Sequence, residues 1–166
     1  MGGGIVVDGR VLAGANAIAG EWGHVPLPLT GNEERPLPRC YCGREGCVET
    51  FLSGPGLASD HAREAGERID ATQIASRAAA GDAASEATLA RYEARLARSL
   101  AVVINIVDPD VIVLGGGLSN LPGLYERVPA LWGAHVFSDE VRTRLVPPVH
   151  GDSGGVRGAA WLWGRP

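Results

Sequence analysis

The 166-residue sequence has no apolar run long enough to cross a bilayer, no cluster of basic residues, and no amino-terminal pattern resembling a secretory signal. The first absence argues against a membrane span. The second, together with a net charge of −4, removes the electrostatic footprint that nucleic acid would need. A soluble, cytoplasmic protein is expected. Cysteine is scarce: there are three, an odd number that cannot pair completely into disulfides. No internal repeat is visible, and no low-complexity segment beyond an alanine bias. The composition, 45% hydrophobic and 20% charged, suffices for one globular domain with a real core and would be cramped for two. The 24 glycines and 11 prolines sit at turn positions and stay below the share that marks a disordered chain.

All three cysteines fall in one run, Arg39-Cys40-Tyr41-Cys42-Gly43-Arg44-Glu45-Gly46-Cys47-Val48-Glu49, and Glu21-Trp22-Gly23-His24 precedes it. Sulfurs spaced Cys-x-Cys-x4-Cys need one more ligand to close a tetrahedral zinc shell, and His24 is the nearest upstream residue able to supply it. The predicted metal ligands are therefore His24, Cys40, Cys42 and Cys47. Gly43 and Gly46 fit this reading, because a tight turn around a metal needs residues that accept positive φ. The alternative is three ordinary buried thiols, with His24 a satisfied polar side chain.

The chain opens with two short apolar runs either side of Asp8-Gly9, the pattern of a hairpin with a two-residue turn. From Ala13 to Cys47 glycines and prolines dominate, so a loop shaped by metal rather than by a packed core is expected. After Ser53-Gly54-Pro55, segments 56–65 and 72–80 read as helices, with Asp70 or Thr72 able to cap the second. Leu89, Tyr92, Leu96, Leu100, Val103, Ile104 and Val107 recur at steps of three and four, which predicts one buried helix face, with Arg91, Glu93, Arg95 and Arg98 off it and a stop at Asp108-Pro109. Val111–Leu114 reads as a strand buried on both faces that opens into Gly115-Gly116-Gly117. A helix over 121–131, a strand over 145–149 and a last helix capped by Ser153 and carrying Val156, Ala159, Ala160, Trp161 and Leu162 complete an α/β arrangement.

These words together resemble the ROK family of bacterial sugar kinases and related repressors. Glu21-Trp22-Gly23-His24 resembles the family's Glu-x-Gly-His sugar motif, residues 40–49 its zinc motif, and Asp108-Pro109-Asp110 through Gly117 its adenosine segment. Glu-Trp-Gly-His, Cys-Tyr-Cys-Gly and the Val-Arg-Gly-Ala-Ala-Trp-Leu-Trp of residues 156–163 are most similar to the fructokinase, or manno(fructo)kinase, branch. The resemblance implies the C-terminal lobe, over 1–166, of an actin-like, ribonuclease-H-type kinase, with the zinc loop over 20–50 inserted in it. It implies ATP with Mg2+ as phosphoryl donor, structural Zn2+, a hexose such as fructose phosphorylated at its 6-hydroxyl, and a homodimer in the full-length form. Glucokinase, N-acetylglucosamine kinase or a non-catalytic regulatory lobe are the alternatives. Glu21, His24 and Glu49 would hold the sugar by accepting from or bonding to its hydroxyls. Gly2, Gly3 and Gly4 resemble the end of a phosphate loop, and Gly115, Gly116 and Gly117 a nucleotide turn after a strand.

One departure stands out. The family's catalytic aspartate belongs to an Asn-Asp pair, and here each Asn is followed by Ala17, Glu33, Ile106 or Leu121. No catalytic residue is therefore assigned in this sequence; a truncated or late-started reading frame lacking the N-terminal lobe is expected. Trp161, Leu162 and Trp163 would then expose an apolar patch. Gly151-Asp152-Ser153-Gly154-Gly155 also spells a serine-protease nucleophile signature, but only thirteen residues follow Ser153, and a helix N-cap explains the same letters. His61, His135 and His150 show no partner pattern and are expected at surface or satisfied polar positions.

Overall fold

The computed structural model describes residues 1–161. Two short strands, β1 (Val6–Val7) and β2 (Arg10–Val11), pair antiparallel around Asp8 and Gly9, whose φ of 50° and 72° are those of the tight hairpin turn that Asp-Gly favours. The following thirty-odd residues hold only short 3-10 turns and two isolated bridges, Pro26 to Cys47 and Arg39 to Glu45. The expectation of a loop was met.

The helices begin where their capping residues stand. α1 (Val48–Leu52) leads into α2 (Gly54–Ala65), where the Ser53 hydroxyl accepts from the Gly56 amide at 3.1 Å and Gly66 ends the helix with φ 75°. Asp70 and Gln73 exchange side-chain and backbone bonds to form a capping box on α3 (Ala71–Ala79). Asp82 caps α4 (Ala83–Val107), and Asp108, at φ 46°, turns the chain out of it ahead of Pro109.

α4 is the axis of the core. Leu89, Tyr92, Leu96, Leu100 and Ile104 pack with Val48, Phe51 and Leu52 of α1, Leu57 of α2, Ile74 of α3, and Leu124, Val128 and Trp132 of α5 (Leu124–Trp132). Two sequence expectations need correction here. Val103 is only half-buried and Val107 exposed, whereas Glu93 and Arg95 are buried, because helices cover α4 on more than one side. Glu93 is neutralised there by Arg127 of α5, whose Nε lies 2.7 Å from Oε2.

β3 (Val111–Val113) and β4 (Arg144–Val146) form a parallel pair, Ile112 opposite Leu145. The expected strand buried on both faces is not seen: Ile112 and Leu114 meet the core, while Val111 and Val113 are exposed. Among the described residues only β4 pairs with β3, and the core covers one face. α6 (Gly154–Trp161) starts on the Ser153 carbonyl, which accepts from Val156 and Arg157; the Ser153 hydroxyl bonds Asp152. Of the expected patch at Trp161, Leu162 and Trp163, the last two residues lie outside the described ones. His61 is buried and satisfied by the Thr88 hydroxyl at 2.9 Å.

Candidate functional site

Three pieces of local structure bring in the four predicted metal ligands. His24 ends the 3-10 turn Trp22–His24. Cys40 and Cys42 lie in a reverse turn closed by Cys40 N–H to Arg44 O at 2.8 Å and Gly43 N–H to Cys40 O at 3.0 Å. Cys47 is the residue before α1, fixed by Leu27 N–H to Gly46 O and Val48 N–H to Val25 O. Gly43 and Gly46 have φ of 88° and 70°, the left-handed conformation for which glycine was expected.

The donor atoms of His24, Cys40, Cys42 and Cys47 all lie within 4.8 Å of one another. Cys42 Sγ is 3.6 Å from Cys47 Sγ, and Cys40 Sγ is 3.6 Å from His24 Nδ1. A tetrahedral zinc with bonds of about 2.3 Å to sulfur and about 2.0 Å to nitrogen has sulfur–sulfur edges of roughly 3.8 Å and sulfur–nitrogen edges of roughly 3.5 Å. The cluster has the donor chemistry and the size for such an ion. Its thiols are unequal without one: burial pushes Cys47 up to about 12, whereas the Arg44 backbone N–H pulls the exposed Cys42 down to about 7. A cation is what would let the buried sulfur ionise.

The carboxylate of Glu49, on the first turn of α1, faces the other side of His24. Its Oε2 is 3.5 Å from His24 Nε2, buried and without a hydrogen-bond partner, and its Oε1 is 2.9 Å from the Met1 amine. The Tyr41 hydroxyl reaches His24 Nε2 at 2.8 Å. A cleft of about 360 Å³ opens beside these groups, lined in part by Tyr41, Glu49, Ser53, Asp60 and Arg63.

Gly2–Gly4 run against the turn at Gly20–Trp22. A Cβ on Gly3 would lie 2.7 Å from the Gly20 carbonyl, so this backbone approach is open only to glycine, and Trp22 Nε1 donates to the Gly2 carbonyl at 3.4 Å. Glu21 is exposed, its backbone held by Ile18. Gly115–Gly117 follow β3 and are exposed; the Gly116 amide, at φ 81°, donates to Asp152 O. The structure thus unites His24, the three cysteines and Glu49, and sets Gly2–Gly4 beside the Glu21 turn.

A buried ionic cluster supports this region, and it was not anticipated from the sequence. Arg95 bonds both Glu34 Oε1 (3.1 Å) and Asp60 Oδ1 (2.9 Å), all three residues being at most 4% exposed. Arg98 joins Glu34, and Arg63 and Arg91 join Asp60. Arg95 lies 61 positions from Glu34 and 35 from Asp60, Arg98 lies 64 from Glu34 and Arg91 31 from Asp60, so apart from the Asp60–Arg63 pair, 3 positions apart, no local pattern links them.

The family model described as ROK family matches residues 1–165. An N-acetyl-D-glucosamine kinase of Photobacterium profundum is 41% identical over 98% of this chain and 55% of its own length. Among solved structures, the ROK hexokinase from Thermus thermophilus superposes with a TM-score of 0.80 at 32% identity, over 96% of this chain and 52% of that one. A ROK family transcriptional regulator, a homolog of the E. coli MLC protein, does so at 0.71 and 30% identity, over 88% and 38%. The chain spans about half the length of the curated relatives it matches. Those relatives are named as N-acetyl-D-glucosamine kinases, so the fructokinase branch expected from the wording of the motifs gains no support. With the family model covering all but the final residue, and the cysteine loop folded onto the histidine of the Glu-Trp-Gly-His turn, this chain belongs to the ROK family.

Proposed function

We propose that residues 1–166 form the C-terminal lobe of an ATP-dependent hexose kinase that acts on N-acetyl-D-glucosamine, with the 20–50 loop organised by one zinc ion. The observation that carries this reading is the buried, unpartnered Oε2 of Glu49, held 3.5 Å from Nε2 of a histidine whose other nitrogen faces three sulfurs. A carboxylate oxygen kept dry and unpaired is costly unless a ligand donor completes it, and a sugar hydroxyl is such a donor. The identity to relatives named N-acetyl-D-glucosamine kinases supports the choice of sugar over fructose.

In this reading zinc, bound by His24, Cys40, Cys42 and Cys47, cross-links the loop and supplies no Lewis acid to the reaction. Glu49 accepts from a ring hydroxyl and fixes the orientation of the sugar, and Glu21 closes the outer side. The amides of Gly2–Gly4 and Gly115–Gly117 approach the phosphates and nucleoside of Mg·ATP. No proton acceptor for the 6-hydroxyl is assigned among residues 1–166.

Calorimetric titration of the zinc-loaded chain with N-acetyl-D-glucosamine and with fructose tests this. N-acetyl-D-glucosamine is expected to bind in preference. Glu49→Gln is expected to weaken it about tenfold or more, the worth of a hydrogen bond to a charged acceptor, with zinc content unchanged. Preferential binding of fructose, or indifference to Glu49→Gln, would sink the assignment. The regulator match favours a second reading, a sugar-sensing lobe without catalysis. ATP binding that Gly116→Val abolishes separates the two, since a sensor has no use for the nucleotide turn.

A further inference from the structure

Tyr41 stands between two of the sulfur ligands, and its side chain is 81% exposed. Its placement is nevertheless specific. The hydroxyl lies 2.8 Å from His24 Nε2, and the two rings meet edge to face with centroids 5.1 Å apart and an interplanar angle of 88°. His24 has different demands on its two nitrogens. Nδ1 faces Cys40 Sγ at 3.6 Å; a nitrogen that gives its lone pair to a metal leaves the ring proton on the other, and Nε2 then needs an acceptor. Glu49 Oε2 is 3.5 Å away and forms no hydrogen bond, so the carboxylate does not take that proton. The phenol oxygen, at bonding distance, does, and a hydroxyl can accept from Nε2 while keeping its own hydrogen for another partner.

We propose that Tyr41 is the positioning residue of this site: its hydroxyl fixes the tautomer and ring plane of His24, turning Nδ1 toward the three sulfurs and Nε2 toward Glu49. The role deepens the zinc-and-sugar reading above and rests on it. The turn that carries Tyr41 is closed by Cys40 N–H to Arg44 O and Gly43 N–H to Cys40 O. Burial of the ring cannot explain the arrangement, since little of it is buried.

The test is Tyr41→Phe, which keeps the ring and removes the oxygen, made in the zinc-loaded chain with no sugar present. Competition against a chromogenic chelator is expected to show zinc held about tenfold more weakly, the low end of the loss when a ligand histidine is deprived of its hydrogen-bond partner. Nitrogen-15 spectra of the His24 imidazole are expected to show a protected Nε2 proton in the wild type and its exchange with water in the variant, a change that a merely structural role would not produce. Tyr41→Ala is expected to match Tyr41→Phe, because the oxygen is the active part. Unchanged zinc affinity and unchanged His24 resonances in both variants would overturn the proposal. Failure of sugar binding leaves these readouts untouched, so the two readings fail separately; a wild-type chain that holds no zinc overturns the metal reading and the positioning role with it.

Discussion

Arg95→Ala is expected to lower stability by about 3 kcal/mol, the low end of what removing one partner of a buried ion pair costs. For a chain of this size that is a fall of roughly 6–12 °C in melting temperature, read by circular dichroism. The guanidinium holds two carboxylates, Glu34 and Asp60, that are 2% and 4% exposed, and stands 5.3 Å from the centroid of Phe51. The cost stays near the low end because Arg98 still serves Glu34, and Arg63 and Arg91 still serve Asp60. Arg95→Lys is expected to recover less than half of the loss, since one ammonium cannot reproduce a planar fork between two acceptors. A melting temperature within about 2 °C of wild type would mean that the neighbouring arginines already neutralise both carboxylates.

The same cluster sets an acid limit. Burial pushes the Glu34 carboxyl up, but the Gly31 amide, Arg98 and Arg95 together outweigh it and hold it below its ordinary value. A depressed folded value contributes stability that is complete above the ordinary carboxylate value of 4.5 and is lost as pH falls through the folded one. Arg95→Ala weakens the depression, so its acid unfolding is expected at higher pH than in the wild type.

Cys47→Ser is expected to abolish stoichiometric zinc binding. Cys47 is the deepest of the four ligands, 1% exposed, and its backbone joins the loop to α1 through the Pro26–Cys47 bridge. A serine hydroxyl is a poor, hard replacement for a thiolate at a site whose other donors are two sulfurs and a nitrogen. The consequence is local. The loop has little core of its own, whereas Leu57, Ile74 and Leu96 pack beyond it, so helical ellipticity is expected to persist. Trypsin is expected to cut after Arg39 and Arg44 in the variant and in chelator-treated wild type much faster than in the zinc-loaded protein. Equal cleavage in all three would show that the loop does not depend on metal.

What could be read in advance was what short segments decide alone. Asp8-Gly9 dictates its turn, Asp70 a helix start, and Cys-x-Cys-x4-Cys with His24 a donor cluster whose glycines take positive φ. What could not be read depends on distant partners. Arg95 looks like a surface residue of α4 until Glu34 and Asp60 arrive from elsewhere in the chain. Val111–Val113 has the composition of a strand covered on both faces, and composition does not supply the second cover. The names of the relatives lend the fructose reading no support, for a related reason: the residues in Glu-Trp-Gly-His and Cys-Tyr-Cys-Gly bring the His24 and cysteine donor atoms together and close the loop, so they carry little information about a sugar. Tyr41 was part of the motif, yet nothing in the spacing distinguishes a phenol aimed at His24 from one lost in solvent.

The most direct test is zinc-edge X-ray absorption on the purified chain, with metal content measured on the same sample. One zinc per chain is expected, with three sulfur neighbours at about 2.3 Å and one nitrogen at about 2.0 Å. A chain that purifies without metal and binds none when zinc is supplied, or a shell lacking the imidazole nitrogen, would contradict this, because His24 is the ligand that ties the cysteine loop to the Glu-Trp-Gly-His turn.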